Sequence, residues 1–300
     1  MRRLSAQRPE LIVLNSIWDA TLSFLPALLC VAGVLRSDSV VLMPRGELEA
    51  GALALKSGKK SRAARLVKIV YGRAATHTGA TSPSEKANLQ LWFPDTPVIM
   101  SADSVDRIEA VHVPRGAGPL RVLFLGRIHP TKGLLPLIDA LSHVTSPIKV
   151  TIAGPVGDVE YWDACQRAIA SLPTNVSVEH VGTVGRDELP DVLGSSDLLV
   201  TLTAGENFGH TIGEALQAGC PVMLTPLTPW TDVVAAGGGA IVEDRNDSAA
   251  IATEIERWAG LADVELAASR GRAAAAFRSW SAKQPANVID QVANFTRGVS

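Results

Sequence analysis

The feature that most constrains the fold is an alternation of short apolar runs with helical patterns along almost the whole chain. Leu11–Asn15 and Ser39–Met43 have the length and composition of strands, and Ala20–Arg36 between them has the length and periodicity of a helix. This alternation is typical of a parallel sheet covered by helices. The sequence therefore predicts an α/β fold.

A second series of the same kind begins after Pro114–Pro119, a Pro- and Gly-rich segment where the periodic pattern stops. Its regular alternation predicts a doubly wound domain of roughly 150 residues. We therefore place a first domain at 1–115, a second at 116–275, and a C-terminal helical segment able to cross back to the first domain at 276–300. The predicted strands of the second domain are Arg121–Leu125, Lys149–Ala153, Val176–His180, Asp197–Leu202, Pro221–Thr225 and Gly239–Val242.

Composition narrows the class of protein further. With 47% hydrophobic and 19% charged residues over 300 positions, the chain is expected to be globular. The three cysteines form no CxxC pair, so neither a disulfide framework nor a zinc site is indicated, and a reducing cytoplasm is expected. The apolar stretch Leu22–Leu35 contains Pro26 and is shorter than the roughly 20 residues that a membrane span needs, so no transmembrane helix is expected.

Charge is distributed unevenly along the chain. Residues 1–73 hold 12 Lys and Arg against 5 Asp and Glu, whereas the remainder holds 16 against 25. The basic run Lys56–Arg73 contains no acid and suits either peripheral contact with anionic lipid or a solvated helix face, and both interpretations stay open. Binding of nucleic acid is not expected, because the remainder is acidic and aromatic residues are few.

The first motif whose residues could bind a ligand is Gly126–Gly133, which follows the strand Arg121–Leu125 directly and opens a helix. Arg127 offers a planar fork for phosphate oxygens, Lys132 adds a mobile positive charge, and the helix N-terminus contributes free N–H groups. These features predict a cradle for a diphosphate. Spacing alone equally allows an ordinary solvated turn with surface charges.

The second motif, Glu206–Glu214, follows the strand Asp197–Leu202 and enters a short helix. An ionised carboxylate only accepts hydrogen bonds, which suits sugar or ribose hydroxyls. Glu206 and Glu214 can therefore address different parts of one ligand. Taken without the first motif, the preferred interpretation is that Glu206 is a helix cap and Glu214 an exposed helix residue.

These motifs together resemble a known family, the retaining glycosyltransferases of family 4. Over about residues 121–260 the chain matches the family's donor-site pattern in order, through Gly126-Arg127, Lys132-Gly133, Glu206-(x)7-Glu214 and Gly219-Cys220-Pro221-Val222. The resemblance implies the GT-B architecture, in which two Rossmann-type domains face a cleft. Trp230, in a segment that also looks like the family, is assigned to packing.

The resemblance implies a role for each matching residue. Arg127 and Lys132 would hold the donor diphosphate, Glu206 the hydroxyls of the transferred sugar and Glu214 the ribose, with Arg127, Lys132 and Glu206 as the catalytic set. The backbone around Phe208–Thr211 would also face the phosphates. The complete donor-binding set is Gly126, Arg127, Lys132, Glu206, Asn207, Phe208, Gly209, His210, Thr211 and Glu214.

The implied reaction moves a sugar from a nucleotide diphosphate sugar to a glycan or lipid-linked acceptor, in polysaccharide or glycoconjugate biosynthesis. Two side-chain cations would stabilise the leaving diphosphate, so the reaction is expected to need no metal and no cofactor. No Asp-x-Asp motif occurs in the sequence. The enzyme is expected to be cytoplasmic, with a peripheral position at the membrane as an open alternative.

The N-terminal part resembles the later portion of the family's acceptor domain, through Leu14-Asn15-Ser16 and Pro44-Arg45-Gly46-Glu47-Leu48. The resemblance implies that the first strands of that domain, and the glycine-rich loop that closes over the donor, are absent. His77 lies where relatives face the cleft, although a lone histidine is also an ordinary structural residue. The alternative function is therefore a non-catalytic or partner-dependent nucleotide-sugar-binding remnant.

Other nucleotide-binding classes fit poorly. A nicotinamide dehydrogenase would carry Gly-x-Gly-x-x-Gly after an early strand, and this chain has Gly126-Arg127 and Lys132-Gly133 instead. A phosphate-loop NTPase is suggested only by Gly58–Ser61, whose neighbouring residues do not match that motif.

Overall fold

The computed structural model describes the backbone of residues 8–48, 57–101, 105, 107–285 and 291–292, and side chains at these positions except 57–63. The chain divides into two compact units. Unit 1 comprises residues 1–104 and 284–300, and unit 2 comprises residues 105–283. Both units contain parallel sheets, as the alternating pattern predicts. No helix in the described part of the chain combines the length and the apolar character needed to cross a membrane.

Unit 1 is built on a four-stranded parallel sheet in the order β1-β2-β3-β4. The second strand is buried along its whole length, because helices and neighbouring strands cover it on every side. The strands are β1 Leu11–Leu14, β2 Ser39–Leu42, β3 His77–Ala80 and β4 Val98–Met100. The helices are α1 Leu25–Val31, α2 Ser57–Ala74 and α3 Pro83–Trp92, with a π-helical turn at Ala20–Phe24 leading into α1.

The predicted helix over 20–36 is shorter in the structure. Asp19 caps the π-helical turn by accepting the N–H groups of Thr21 and Leu22. Pro26 lies in the first turn of α1, where its missing N–H is tolerated. The helix ends at Val31, and Gly33 follows with φ of 70°. A left-handed glycine just beyond a helix is a common terminator.

The apolar side chains of α2 are only partly buried. Val67 and Val70 are buried, but Leu66 is 56% exposed and Ile69 is 45% exposed. The buried stripe is therefore narrower than the apolar pattern suggests. Within the basic run, Lys56 lies outside the described residues, as do the side chains of Lys59, Lys60 and Arg62.

Two glutamates tie together the loops at the carboxyl ends of β1, β2 and β3. The buried carboxylate of Glu85 accepts the backbone N–H of Gly46 at 2.6 Å and that of Thr81 at 2.8 Å. The carboxylate of Glu47 accepts the N–H of Ile17 at 2.7 Å. The acids at this edge therefore serve to hold loops of their own unit.

Unit 2 is built on a six-stranded parallel sheet in the order β10-β9-β8-β5-β6-β7. The strands are β5 Leu120–Leu125, β6 Ile148–Ala153, β7 Val176–Gly182, β8 Leu198–Thr201, β9 Val222–Leu224 and β10 Gly239–Ile241. The helices are α4 Leu134–Leu141, α5 Val159–Ile169, α6 Leu189–Gly194, α7 His210–Gln217, α8 Thr231–Val233, α9 Ser248–Ala259 and α10 Asp263–Ser281. These bounds agree with the predicted strands to within one or two residues.

The boundary between the units lies earlier than the predicted 115/116. The residues before the Pro- and Gly-rich segment are bonded to unit 2: Ile108 donates its N–H to Gln217 at 2.6 Å, and Val113 donates to the carbonyl of Gly194 at 3.1 Å. Glycine and proline at this point mark a turn within unit 2, so the segment is not an interdomain linker.

The C-terminal division also differs from the predicted 275/276. Helix α10 continues to Ser281 within unit 2, and the return to unit 1 follows Lys283. There Gln291 donates to the carbonyl of Met100 at 2.8 Å, and Val292 is buried beside Val41.

A buried arginine fixes α10 to the rest of unit 2. The guanidinium of Arg270 donates to the carbonyls of Ser196 at 2.7 Å, Leu193 at 3.3 Å and Ala218 at 3.4 Å. Leu193 and Ala218 lie at the C-terminal ends of α6 and α7, where carbonyl groups lack helical partners and a positive charge is favourable. Arg270 thereby holds the positions of both helices.

Candidate functional site

The strand order of unit 2 creates a crevice at one point of its sheet. The chain proceeds from β5 outward through β6 and β7, then returns to the other side of β5 and continues through β8, β9 and β10. Loops at the carboxyl ends of β5 and β8 therefore diverge to opposite faces, and ligands of open α/β sheets bind between such loops. The two motifs predicted from the sequence, Gly126–Gly133 and Glu206–Glu214, follow these two strands.

The two motifs meet through an ion pair. Lys132 ends a short 3₁₀ turn, and its Nζ lies 2.5 Å from Oε1 of Glu206, with the two side chains 28% and 13% exposed. The interpretation of Glu206 as a helix cap is wrong, because Gly209 occupies the cap position. The structure thus joins residues that are 74 positions apart in the sequence.

Backbone contacts hold the same two loops together independently of charge. The N–H of Ala204 donates to the carbonyl of Thr131 at 2.8 Å. Gly133 has φ of 77°, and a Cβ at this position would lie 2.1 Å from the carbonyl oxygen of Leu202. Only glycine allows the loops to approach this closely. The Lys132–Glu206 pair is therefore placed by the fold rather than by its own attraction.

Arg127 lies on the same loop as Lys132, and its side chain is exposed. Its aliphatic stem lies on Gly157, where an added Cβ would be 2.4 Å from Cδ of Arg127. The guanidinium forms no ion pair with another described residue. Arg127 therefore offers its five N–H donors to solvent or to a ligand.

The second loop is anchored by an indole. Trp230 is buried, and its Nε1–H donates to the carbonyl of Phe208 at 2.5 Å. Phe208, Phe277 and Trp280 pack around the Trp230 ring, with centroid distances of 5.4, 6.1 and 4.4 Å. The assignment of Trp230 to packing is confirmed. Its N–H also fixes the loop before α7, a role that the sequence analysis did not predict.

Glu214 is half-buried on the second turn of α7, so the interpretation of it as an exposed helix residue is wrong. Burial raises the pKa of Glu214, and the positive charges of His210 and Arg186 offset part of that rise. A partly buried carboxylate with two basic neighbours can accept hydrogen bonds from neutral hydroxyls.

The remaining predicted residues lie in or beside the same loop. His210 is exposed and its ring packs on Phe208 at 4.8 Å between centroids, whereas the Phe208 ring itself is buried. The half-buried positions of this segment are Asn207, Gly209 and Thr211. Gly126, on the first loop, is half-buried as well.

His77 is placed differently from the sequence-based expectation. It opens β3 at the amino end of the strand, whereas the loops discussed above follow carboxyl ends. Its Nδ1 lies 3.0 Å from the hydroxyl oxygen of Thr76, and burial lowers its pKa. The structural interpretation of His77 therefore fits better than a catalytic one.

Two further arginines at this edge escaped the sequence analysis. Arg245 follows β10 and donates to the carbonyl of Pro130 at 2.7 Å, which supports the turn that carries Lys132. Arg186 follows β7 and acts electrostatically on Glu214. Both follow carboxyl ends of parallel strands, and that position in the sequence was the available signal.

The fold and the position of these loops define the chain as an α/β protein with the fold of GT-B glycosyltransferases. Among solved structures, Anabaena Alr3699/HepE in complex with UDP-glucose matches 96% of this chain and 79% of its own, with a TM-score of 0.72 and 18% identity. At that identity the match shows the fold alone.

The sequence match is more specific. The family model for glycosyl transferases group 1 matches residues 109–276, more than half of the chain, and the chain belongs to this family. The O-antigen chain mannosyltransferase B of Escherichia coli is 25% identical over 166 residues, covering 53% of this chain and 42% of the relative. The D-inositol 3-phosphate glycosyltransferase of Jonesia denitrificans is 28% identical over 153 residues, covering 48% and 34%. The matched part thus spans less than half of either curated relative.

Proposed function

We propose that this chain is a retaining glycosyltransferase that moves a hexosyl group from a nucleotide diphosphate sugar to a glycan or lipid-linked acceptor. The observation that carries the proposal is the ion pair of Lys132 and Glu206 at the point where the loops after β5 and β8 diverge. Arg127 lies on the same loop as Lys132 and pairs with no other described residue. Family membership and the UDP-glucose in the Anabaena structure support a nucleotide-sugar donor.

The two cations suit a diphosphate in different ways. Arg127 can bind two phosphate oxygens with its planar guanidinium group. The ammonium group of Lys132, on a flexible side chain, can move with the negative charge of the phosphates. The N-terminus of α7, which begins at His210, adds backbone N–H groups and a partial positive charge.

The two carboxylates suit the neutral parts of the donor. When Lys132 turns to phosphate, Glu206 is released to accept hydroxyls of the transferred sugar. Glu214, on the next helix, is proposed to accept the ribose hydroxyls. Both roles need an ionised acceptor, and the fold already holds both carboxylates at this edge of the sheet before the ligand arrives.

In the proposed reaction the acceptor hydroxyl attacks the anomeric carbon on the face from which the diphosphate leaves. The bond from that carbon to the diphosphate oxygen breaks, the bond to the acceptor oxygen forms, and a diphosphate oxygen takes the acceptor's proton. Negative charge grows on the leaving diphosphate, where Arg127 and Lys132 stabilise it. We propose that these cations perform this task without a metal ion.

The acceptor and the setting are part of the proposal. A lipid-linked acceptor fits the basic run Lys56–Arg73, and polysaccharide or glycoconjugate biosynthesis fits the similarity to an O-antigen chain mannosyltransferase. A cytoplasmic location with peripheral contact at the membrane belongs to the same proposal. The competing function is a nucleotide-sugar-binding subunit without turnover of its own, because the matched family region and both recognised motifs lie within unit 2, the part proposed to bind the donor.

The proposal is tested by calorimetric titration of UDP-, GDP- and ADP-sugars into the full chain with a chelator present. Arg127→Ala and Glu214→Ala should each abolish saturable binding of the preferred donor. Arg167→Ala is the matched control, since Arg167 is an exposed arginine at the end of α5 in the same unit.

The outcomes separate the two functions. Binding that both site variants lose, followed by release of nucleotide in the presence of an acceptor extract, supports the enzyme. The same binding without release supports the non-catalytic subunit. A folded chain that binds no nucleotide sugar contradicts both.

A further inference from the structure

The residue that opens α7, His210, is of a type that its position does not favour. The N-terminus of a helix carries a partial positive charge, so a further positive charge in the first turn is unfavourable. Helix α7 has no acidic residue in its first turn, and Gly209 at the cap position provides no side chain to accept the free N–H groups. The start of α7 therefore offers N–H donors together with one side chain that can become positively charged.

The ring of His210 is held in place by the aromatic side chains behind it. Its centroid lies 4.8 Å from that of Phe208, and the two rings are inclined by 58°. Phe208 is buried and contacts Trp230 and Trp280, with centroid distances of 5.4 and 6.2 Å. His210 itself remains exposed. The fold therefore positions an imidazole at the surface of this loop.

The turn that leads to His210 also reaches the Lys132–Glu206 ion pair. A Cβ added to Gly209 would lie 3.5 Å from Cγ of Glu206, which is an ordinary van der Waals distance. The carboxylate of Glu206 in turn binds Nζ of Lys132 at 2.5 Å. The residue directly before His210 thus lies next to the side chain that pairs with one of the two cations proposed for the diphosphate.

Glu214 lies one helical turn beyond His210. Residues four positions apart lie on the same side of a helix. The positive charges of His210 and Arg186 offset part of the rise that burial causes in the pKa of Glu214. In this part of the described structure, the charged side chains around the imidazole are therefore Lys132 with Glu206 on the side of the turn, and Arg186 with Glu214 on the side of the helix.

The other histidine on the loops after β5 and β8 already has a structural hydrogen bond. His129 caps the 3₁₀ turn that carries Lys132, and its Nδ1 accepts the N–H of Thr131 at 3.3 Å. A ring nitrogen that accepts a hydrogen bond cannot take up a proton without breaking that bond. His210 is therefore the better candidate for a change of charge at this site.

We propose that His210 takes up a proton from solvent when the nucleotide diphosphate sugar binds, and that the imidazolium formed is a third positive group on the donor diphosphate. The proton binds the ring nitrogen that carries no hydrogen, and no bond of the donor changes in this step. The inference rests on the proposed function and adds a side-chain role to that of the backbone N–H groups of α7.

The balance of charge at the start of α7 explains why the proton arrives with the donor. Before the donor binds, the helix N-terminus and Lys132 both disfavour a further positive charge. The negative charges of the diphosphate reverse this balance and favour the imidazolium. Histidine suits this task because imidazole gains or loses a proton near neutral pH, so the positive charge need not be present without the donor.

The test is calorimetric titration of UDP-glucose, GDP-mannose and ADP-glucose into the full chain near pH 7, in buffers of different ionisation enthalpy. The comparison gives the number of protons taken up per donor bound. These donors keep a constant charge, because both of their phosphates are esterified, whereas the terminal phosphate of a free nucleotide titrates near pH 6. The donor that binds most tightly should take up about half a proton.

His210→Gln should abolish this uptake. Its affinity should be about five- to tenfold weaker near pH 6, and within about twofold of that of the unaltered chain near pH 8.5, where imidazole is neutral. Equal affinity at the higher pH shows that the site is intact, which a purely structural role of the ring would not predict. His143→Gln is the control, since His143 is also an exposed histidine of unit 2.

Binding without proton uptake near pH 7 would overturn the inference and leave the donor site standing. Uptake that persists in His210→Gln but is lost in His129→Asn would assign the proton to the other loop and overturn it as well. A folded chain that binds none of the three donors would contradict the proposed function, and the inference with it. Thermal unfolding shows whether each variant is folded, and His210→Asn is a second neutral variant should glutamine destabilise α7.

Discussion

The carboxyl edges of the two sheets use charged side chains in opposite ways. In unit 1, Glu47 and Glu85 accept backbone N–H groups of neighbouring loops, so their charge holds the loops in place. In unit 2, a backbone bond and the close approach at Gly133 hold the loops, and the side chains of Lys132 and Glu206 pair with each other and with no further residue in the described part of the chain. The charged side chains of unit 2 are not needed to hold its loops, so they are available to a ligand. This difference marks the carboxyl edge of the unit 2 sheet as a candidate site and that of unit 1 as structural.

The largest effect that can test this comparison is expected for Lys132→Met. Turnover with the preferred donor should fall about 100- to 1,000-fold, because one of two cations on the leaving group is lost. Stability should hardly change, because backbone contacts place the loop. Steady-state kinetics and a thermal melt measure the two quantities.

A matched control is Lys149→Met, which breaks an exposed Lys–Glu pair of the same unit, 3.8 Å from Nζ to Oε2 of Glu179. A Lys132 variant whose melting temperature falls while its turnover is retained would show that the pair serves to stabilise the fold.

Glu85→Ala should have the reverse profile. Loss of the buried carboxylate leaves the N–H groups of Gly46 and Thr81 without their acceptor, at a cost of about 2–4 kcal/mol. Donor affinity should be unchanged, since the proposed site lies in unit 2. Urea denaturation and donor calorimetry measure the two effects, with the exposed Glu109→Ala as control. If Glu85→Ala lost donor affinity without losing stability, the proposed difference between the carboxyl edges of the two sheets would be wrong.

Trp230→Phe is expected to weaken donor binding about fivefold to tenfold. The ring remains, but the hydrogen bond to the carbonyl of Phe208 is lost, at a cost of about 1 kcal/mol. Trp258→Phe is the control, because this indole is also buried and bonded, to Glu254, but lies on α9. A similar loss of affinity in the control would point to general destabilisation of unit 2.

The smallest effect concerns Glu256, a unit 2 carboxylate that is used like those of unit 1. Burial raises its pKa, but hydrogen bonds from Ser146 and Thr145 outweigh this and lower the pKa to about 2. Because the folded pKa lies below the usual 4.5, this carboxylate stabilises the fold above about pH 4.5, and the contribution is lost as pH falls towards 2.

Urea denaturation between pH 6 and pH 2 measures this contribution, and Glu256→Gln should show a weaker decline in stability over the acidic range. Parallel curves for the two proteins would mean that the bonds of Glu256 contribute nothing to folding.

The sequence predicted the sheets where apolar runs were long. Strand β5, inside the sheet, contains the apolar run Val122–Leu125, and a run of this kind can be recognised in the sequence. By contrast, β3 consists of His77-Thr78-Gly79-Ala80, which lacks the branched and aromatic residues typical of strands. Helix α3 and strand β4 follow it and were not predicted either. Here neighbouring elements, rather than local composition, decide the structure.

The candidate site shows the same limit. Positions after β5 and β8 were predicted because parallel strands bring their carboxyl ends to one edge. The contact of Lys132 with Glu206 and the bond of Trp230 to Phe208 depend on three-dimensional packing, and no spacing in the sequence encodes them. The misplaced boundary near 115 has a similar cause, since the partner of Ile108 lies 109 positions further on.

The aromatic side chains that pack around Trp230 limit where such chains can be shortened or recombined. Phe277 and Trp280 come from the last turns of α10, yet they support the indole that fixes the loop before α7. A fragment ended at residue 275 would keep every residue of the donor motif and lose part of the packing that shapes it. For domain exchange between related chains, the portable segment therefore extends past the helix end at Ser281.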